Sequence, residues 1–271
     1  MDGITLAIVS VTGIGLICAL ILSVASKIMA VKEDERFPLI REALPGANCG
    51  ACGYAGCDGY AHALIEDEGV KTNLCIPGGD GASKALAELL GAEAEDVIEQ
   101  VSVIACRGDC TVTGPKMDYQ GIETCKAAKQ LFGGTGKCSF GCMGFGDCAA
   151  VCPADAICIE NGIAHIDARK CIGCSLCVAA CPNRLISTMP DVEKILVTCS
   201  NTEKGALTRK ACSRGCIACK RCEKECPHGA IRVIDNLARI DYSLCTSCGK
   251  CVEVCPVGCI IQSDFSGAHR S

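Results

Sequence analysis

The chain of 271 residues has no tryptophan, and aromatic residues make up only 3% of it. Large aromatic side chains normally supply much of the area that a protein core buries. Because they are nearly missing, we expect metal or disulfides to stabilise the fold in place of a conventional core. The formal net charge of −5 argues against nucleic acid as a partner, since nucleic-acid binding needs a basic surface.

Charged residues are missing from the stretch 3–26, which is long enough to cross a bilayer with some tilt. The flanking charges are acidic before it and basic after it: Asp2, then Lys27, Lys32 and Arg36. The positive-inside rule then predicts a single-pass anchor in the inner (cytoplasmic) membrane, with the rest of the chain facing the cytoplasm. A cleaved signal peptide is the alternative, but the stretch has no basic n-region and exceeds the length of an h-region.

Cysteine, in contrast, occurs 28 times. Three runs share the spacing Cys-x2-Cys-x2-Cys-x3-Cys-Pro and begin at Cys171, Cys216 and Cys245. In bacterial ferredoxins the first three cysteines of such a run hold one [4Fe–4S] cluster, and the fourth ligates the other cluster of a pair. Zinc is the alternative, but zinc sites use cysteine pairs separated by a dozen or more residues. Disulfides do not persist in a reducing cytoplasm.

A fourth run, which ends at Cys152-Pro153, is irregular, and an internal repeat explains it. A shift of 74 residues aligns 154–171 with 228–245 and places Phe145 where the later module has Cys219. The earlier run therefore lacks its middle cysteine, and we expect Cys138 to replace it. The aligned segments also read as hairpins, with Asn161-Gly162 and Asp235-Asn236 as turns between alternating apolar residues.

Exchange of the fourth cysteine within each pair of runs predicts four [4Fe–4S] clusters. The expected ligand sets are Cys138/Cys142/Cys148/Cys181, Cys152/Cys171/Cys174/Cys177, Cys216/Cys219/Cys222/Cys255 and Cys226/Cys245/Cys248/Cys251. A fifth set lies just after the apolar stretch, where glycines interleave the thiols, and a redox Cys-x2-Cys pair is its alternative. Its members are Cys49, Cys52, Cys57 and Cys75.

Three more cysteines, Cys106, Cys110 and Cys125, are candidates for a sixth cluster, with Cys199 or Cys212 as the fourth ligand. The alternative is that they are unligated buried thiols. We therefore predict five [4Fe–4S] clusters as cofactors, or six if this set is ligated.

The segments GANCGACGYAGCDGYA, MDYQGIETC and CIGCSLCVAACP, in this order after an apolar helix, resemble the RnfB family of the Rnf complex. The resemblance covers essentially the whole chain. It implies an iron–sulfur subunit of a membrane-bound ferredoxin:NAD oxidoreductase that translocates Na⁺ or H⁺. Such a subunit takes electrons from soluble ferredoxin and passes them to other Rnf subunits, which carry the NAD and flavin sites. A relay subunit of another membrane-anchored dehydrogenase or hydrogenase is the alternative.

These observations predict an α+β fold with four parts. The parts are a transmembrane anchor (1–30), a small helical [4Fe–4S] domain with a linker helix (31–100), and two ferredoxin-like two-cluster modules (101–190 and 191–271). Short members of the family have one such module, whereas this chain has two. No residue with a catalytic role of its own is expected.

Basic residues gather at the start of the second module, and we expect them to attract an acidic ferredoxin by electrostatic steering. A solvated basic loop is the alternative. The residues are Lys204, Arg209, Lys210, Arg214, Lys220 and Arg221.

Overall fold

The computed structural model describes residues 3–28, 34–191 and 195–263, so Asp2 and Lys32, whose charges orient the predicted anchor, lie outside the described residues. Its short helices and strands confirm a mixed α and β chain. The helices are α1 (Gly3–Ile28), α2 (Phe37–Glu42), α3 (Gly56–Glu66), α4 (Gly79–Leu90), α5 (Cys125–Gln130), α6 (Asp147–Ala150), α7 (Leu176–Ala180), α8 (Gly205–Ala211), α9 (Arg221–Glu225) and α10 (Lys250–Glu253). The strands are β1 (Gln100–Ile104), β2 (Ile157–Glu160), β3 (Ile163–Ile166), β4 (Ile186–Pro190), β5 (Ile195–Val197), β6 (Ile231–Ile234), β7 (Leu237–Ile240) and β8 (Ile260–Gln262).

Helix α1 is the one helix within the described ranges that is long and apolar enough to cross a membrane. Its window Ile8–Lys27 has a mean hydropathy of 2.5, and none of that window is buried by the rest of the chain. Large apolar side chains such as Leu20 and Leu22 stay exposed along it. The described residues leave an apolar surface of this length uncovered, and such a surface suits a hydrocarbon environment.

Helices α2, α3 and α4 pack around Tyr60, which is 1% exposed. The hydroxyl of Tyr60 donates a hydrogen bond of 2.6 Å to the carbonyl oxygen of Lys71, so its polar end is satisfied in the core. This bond fixes the segment that follows, with its 3₁₀ turns Thr72–Leu74 and Ile76–Gly78, against α3. Cys75 lies between these two turns and is thereby held near the start of α3.

The predicted linker helix is shorter in the structure than expected. Helix α4 ends at Leu90 because Gly91 adopts a left-handed conformation (φ 67°), and the N–H of Ala92 bonds to the carbonyl of Ala87 at 2.9 Å. The residues that follow, up to β1, form neither helix nor strand. They are tied back to α4 by the hydroxyl of Ser83, which donates to the carbonyl of Glu95 at 2.8 Å.

The two modules repeat one plan of paired antiparallel strands. Each contains a two-residue hairpin, β2–β3 and β6–β7, and a second pair that joins its first and last strands, β1–β4 and β5–β8. Both hairpin turns have two successive residues at positive φ, 49° and 76° at Asn161-Gly162 and 50° and 61° at Asp235-Asn236. This is the type I′ geometry that fits the twist of a hairpin, and it confirms both predicted hairpins.

Cysteine sulfurs occupy the centre of each module, where aromatic rings would otherwise lie. In the second module Ile195, Ile231 and Ile260 are buried against Cys216, Cys222 and other cysteines. The first module has the same arrangement around Cys148 and Cys177. In both modules, thiols therefore take the central position in the core that aromatic side chains occupy in most proteins.

Candidate iron–sulfur centres

The four thiols of the helical domain, Cys49, Cys52, Cys57 and Cys75, lie together. Cys57 is in the first turn of α3, and its N–H donates to Oδ1 of Asn48 at 3.0 Å, which orders the preceding loop. Burial raises the pKa of Cys75 to about 11, and the nearby thiols of Cys57, Cys52 and Cys49 contribute to the rise. The structure therefore brings the members of this predicted set into one group.

A second group in the first module is built against β1. It contains the expected thiols Cys152, Cys171, Cys174 and Cys177, and burial followed by the charges of its neighbours raises the pKa of Cys177. Ser102, which is 3% exposed, lies against this group. Its N–H donates to Sγ of Cys171 at 3.4 Å, and its hydroxyl lies 3.4 Å from Sγ of Cys177. Two polar groups of one strand residue are thus directed at two sulfurs.

These two groups are neighbours in space. The thiol of Cys49, in the helical domain, is among the charges that raise the pKa of Cys174, after the effect of burial. The loop that carries Cys174 contacts the helical domain directly, because a Cβ placed on Gly173 would lie 2.8 Å from Cγ2 of Ile76. The helical domain and the first module therefore meet at their thiol groups.

The remaining thiols of the first module depart from the expected set. A cavity of about 320 Å³ is lined by Cys125, Cys142, Cys148 and Cys181. Cys138 is not part of this group, and Cys125 takes its place. The carboxylate of Asp147, at the start of α6, accepts hydrogen bonds from the N–H groups of Cys125 (2.8 Å) and Lys126 (3.0 Å), and so holds α5 beside α6.

This substitution compensates for Phe145, which stands at the position of Cys219 and packs edge-on against Tyr119 at 5.5 Å. The sequence carried no local signal for it, since 16 residues separate Cys125 from the next member of its group. The pKa of Cys148 is raised to about 12, first by burial and then by Cys142, Cys125 and Cys181. This mutual influence shows that the four thiols share one site.

In the second module the structure brings together both sets that the spacing predicts. One cavity of about 310 Å³ is lined by the four thiols of one set and also by Cys259, and another of about 350 Å³ is lined by the four thiols of the other set. They are Cys216, Cys219, Cys222 and Cys255 for the first, and Cys226, Cys245, Cys248 and Cys251 for the second.

Cys259, a buried thiol outside both sets, lies 3.6 Å from Sγ of Cys255 and also hydrogen-bonds to Cys216. These hydrogen bonds lower the pKa of Cys255 to about 5 and that of Cys216 to about 6, while the pKa of Cys259 is raised. Cys259 therefore shares hydrogen bonds with two thiols of one group.

Non-glycine residues with positive φ occur inside the cysteine runs. Ser175, Ala218, Lys220 and Ser247 have φ between 54° and 61°. Such residues cost about 1–2 kcal/mol each, and they concentrate at functional sites. Alternation of right- and left-handed conformations turns successive N–H groups toward one centre, which is how a loop surrounds an anionic group. The backbone of these runs is thus shaped for a negatively charged cluster.

The other predicted thiols are placed separately. Cys110 is exposed, and its N–H donates to the carbonyl of Asn161, so the expected trio of Cys106, Cys110 and Cys125 is not brought together. Cys106 instead faces Cys138 across another cavity. Among the residues that the structure describes, no three or more His, Cys, Asp or Glu side chains are arranged to hold a single metal ion.

Three features are typical of iron–sulfur proteins with several clusters. They are groups of four thiols around cavities, hydrogen-bond donors directed at sulfur, and ferredoxin-type hairpins. Two family descriptions match the chain: a putative Fe-S cluster at residues 44–77, and a 4Fe-4S dicluster domain at 170–230 and 215–259.

Three relatives cover about nine-tenths of the chain, and all three are RnfB proteins. The one from the Na⁺-translocating ferredoxin:NAD⁺ oxidoreductase complex of Acetobacterium woodii is 42% identical over 91% of this chain and 74% of its own length. The one from the proton-translocating complex of Clostridium ljungdahlii is 41% identical over 91% and 87%. The one from the ion-translocating oxidoreductase complex of Methanosarcina acetivorans is 38% identical over 89% and 91%. The chain belongs to the RnfB family of these ion-translocating complexes.

Proposed function

We propose that the chain is the electron-relay subunit of an ion-translocating ferredoxin:NAD oxidoreductase complex, and that its thiol groups hold [4Fe–4S] clusters. The observation that carries the proposal is the close packing of two thiol groups across a domain boundary. Gly173, next to Cys174, packs directly against Ile76, next to Cys75. A bound [4Fe–4S] cluster supplies reversible one-electron transfer without making or breaking covalent bonds in a substrate. Adjacent groups of thiols suit such a relay.

The ligands proposed for five clusters follow the groups that the structure brings together, with Cys125 in place of Cys138. The five sets are Cys49/Cys52/Cys57/Cys75, Cys152/Cys171/Cys174/Cys177, Cys125/Cys142/Cys148/Cys181, Cys216/Cys219/Cys222/Cys255 and Cys226/Cys245/Cys248/Cys251.

The residues around each group have two tasks. Apolar packing excludes water from the sulfurs, as Ile104 and Ile186 do around Cys142. Donors such as Ser102 place positive dipoles at the sulfurs, which favours the more negative, reduced state and is one determinant of potential.

Access from solvent differs among the groups. Cys219 and Cys248, both in the second module, are exposed, whereas Cys57, Cys148 and Cys177 are buried. An electron donor in solution can therefore approach the second module more closely than the interior groups. We propose that soluble ferredoxin docks there and that the other Rnf subunits receive the electrons.

The basic surface beside this module, defined as Lys204, Arg209, Lys210, Lys220 and Arg221, is exposed and suits an acidic partner. Arg214, which the sequence placed with these residues, is instead paired with Asp109 at 2.8 Å and belongs to the contact between the modules. Helix α1 is proposed as the membrane anchor, with the thiol domains on the cytoplasmic side.

We propose that other subunits of the complex determine which ion is translocated. Relatives of similar identity to the chain are named for different ions, Na⁺ in one complex and protons in another. In the described part of α1, the stretch from Gly3 to Ser26 carries no charged residue that could relay an ion.

The test is metal analysis of the full chain, purified anaerobically in detergent, followed by mixing with reduced ferredoxin. The proposal predicts at least about 20 iron and 20 sulfide per chain, four of each for every cluster, and bleaching of the visible absorbance on reduction. Near-zero iron with bound zinc would refute it, as would an iron-loaded chain that reduced ferredoxin leaves oxidised.

A further inference from the structure

Four thiols outside the five proposed sets meet where the two modules touch. They line one cavity, together with Cys142 of a proposed cluster site. All four are free, two are buried and two are half-buried. The four, called the interface thiols below, are Cys106, Cys138, Cys199 and Cys212.

The interface thiols come as two equivalent pairs, one from each module. The N–H of Ala105 bonds to the carbonyl of Leu185 at 2.7 Å, and the N–H of Thr198 bonds in the same way to the carbonyl of Cys259, 74 positions after Leu185. The next residues, Cys106 and Cys199, are therefore structural equivalents.

The same repeat relates the other two interface thiols. The 74-residue shift also relates Cys138 to Cys212, each four residues before the first cysteine of its run. Each module thus contributes half of one four-thiol site.

The hydrogen bonds to the two halves repeat as well. The N–H of Cys142 donates to Sγ of Cys106 at 3.4 Å, and the N–H of the repeat-related Cys216 donates to Sγ of Cys199 at 3.3 Å. A second N–H reaches each of these sulfurs from two residues further along, from Gly108 and Asn201. N–H donors stabilise the negative charge of a thiolate ligand, and each of these two sulfurs has two of them.

The other pair also has donors, and one of them comes from across the boundary. Asn201, which is 1% exposed, directs its side-chain amide at Sγ of Cys138 in the other module at 3.5 Å. The N–H groups of Arg214 and Gly215 reach Sγ of Cys212. Every interface thiol therefore has at least one N–H donor.

We propose that Cys106, Cys138, Cys199 and Cys212 bind a sixth [4Fe–4S] cluster at the boundary between the modules. This rests on the proposed function, and it gives the site a place in the relay. The donor to Cys106 is the backbone of Cys142, a ligand proposed in the first module, and the donor to Cys199 is the backbone of Cys216, a ligand proposed in the second. The site lies between the clusters of the two modules and connects them.

The site is not assigned by the family descriptions that match the chain, since these cover residues 44–77 and 170–259 and leave Cys106 and Cys138 outside. It also differs from the trio that the spacing suggested. Cys110 is exposed on the surface, and Cys125 belongs to the neighbouring group.

The first test compares iron and sulfide in the full chain, in Cys106→Ala/Cys199→Ala, and in the control Cys110→Ala/Cys158→Ala, whose thiols are exposed and outside every group. We expect about 24 iron in the wild type and the control, and a loss of about four in the interface variant. About 20 iron in the wild type and in both variants would overturn the inference while leaving the five-cluster relay standing, and so would about 20 iron with one zinc. Near-zero iron would overturn the proposed function itself.

A second variant decides the matter if the double variant does not fold. Cys138→Ser changes one ligand atom at a half-buried position with little change in size. We expect one set of EPR signals of the reduced chain to shift while the others stay in place. A spectrum identical to that of the wild type would show that Cys138 is not a ligand and would overturn the inference.

Discussion

Gly173 and Ile76 hold the helical domain against the first module: a Cβ on Gly173 would lie 2.8 Å from Cγ2 of Ile76 and 2.6 Å from the carbonyl oxygen of Gln100. Gly173 also has a φ of +65°, which L side chains rarely adopt. A side chain at this position would push against backbone on one side and against the helical domain on the other. The glycine therefore keeps Cys49 and Cys174 close.

We expect Gly173→Ala to separate these two thiol groups and to destabilise the chain by about 1–3 kcal/mol beyond the cost of the positive φ. Gly162→Ala is the matched control, because Gly162 has a φ of +76° but open space around its Cβ position. The thermal midpoint of the visible absorbance, measured anaerobically, should fall further for Gly173→Ala. Equal shifts in the two variants would show that the contact with Ile76 carries no strain.

Ser102→Ala should lower the reduction potential of the cluster proposed on Cys152, Cys171, Cys174 and Cys177. The thiol of Cys177 donates to the hydroxyl of Ser102 at 3.4 Å in the structure. A cluster-ligating Cys177 has no proton, so the hydroxyl would then donate to its sulfur, and this bond would become stronger as the cluster gains negative charge. A loss of about 1 kcal/mol corresponds to about 40 mV for one electron. Redox titration followed by EPR measures it. Ser200→Ala is the control, since that hydroxyl donates to the carbonyl of Ala105 instead of to sulfur.

Cys125→Ala should remove about four iron atoms from the chain and one set of EPR signals, because Cys125 lies with Cys142, Cys148 and Cys181. Cys110→Ala is the control, since this cysteine also precedes the first run of the first module. This variant should keep the full iron content, because its thiol is exposed and outside the groups. If Cys125→Ala retained all its iron and its EPR signals, the ligand set would have to be redrawn with another thiol.

Cys259→Leu should lower the potential of the cluster proposed on Cys216, Cys219, Cys222 and Cys255. The repeat places Leu185 at the equivalent position of the first module, so leucine is accepted by this fold. The variant removes the 3.6 Å hydrogen bond between the sulfurs of Cys259 and Cys255. A cluster-ligating Cys255 has no proton, so Cys259 would be the donor, and we estimate the loss at about 0.5–1 kcal/mol, or about 20–40 mV. A potential unchanged within error would mean that the Cys259 thiol does not donate to the loaded site.

Charge reversal on the basic surface should slow the association of ferredoxin. Lys220→Glu/Arg221→Glu is expected to reduce the on-rate by about tenfold or more at low salt, and the difference should shrink as salt is added. Stopped-flow reduction by ferredoxin measures this rate. Lys84→Glu, on the exposed side of α4, changes charge away from the second module and should leave the rate unchanged. A similar effect from both variants would point to net charge instead of a docking surface.

The sequence predicted the parts of the chain whose geometry is local. The hairpin turns at Asn161-Gly162 and Asp235-Asn236 could be predicted because Asn, Asp and Gly tolerate the positive φ that both positions require. The groups of the second module also follow the spacing, since a short run of residues fixes three thiols at once.

The sequence did not predict the features that depend on packing over a distance. Cys125 reaches its group only because Asp147 holds α5 beside α6. The pairing of Cys106 with Cys199 was hidden because the two modules have inserts of different length before their first runs, so a single shift relates Cys199 to Cys125 instead. The end of the linker helix was missed because the cap at Gly91 competes with an otherwise helical composition.

The equivalence of the two interface pairs also bears on the history of the chain. A single module of this kind carries two of the four thiols, and a second copy of the module would supply the other two. Fusion of two copies into one polypeptide would then turn a symmetric dimer contact into a permanent boundary. On this view the boundary between the modules is older than the covalent link that now joins them.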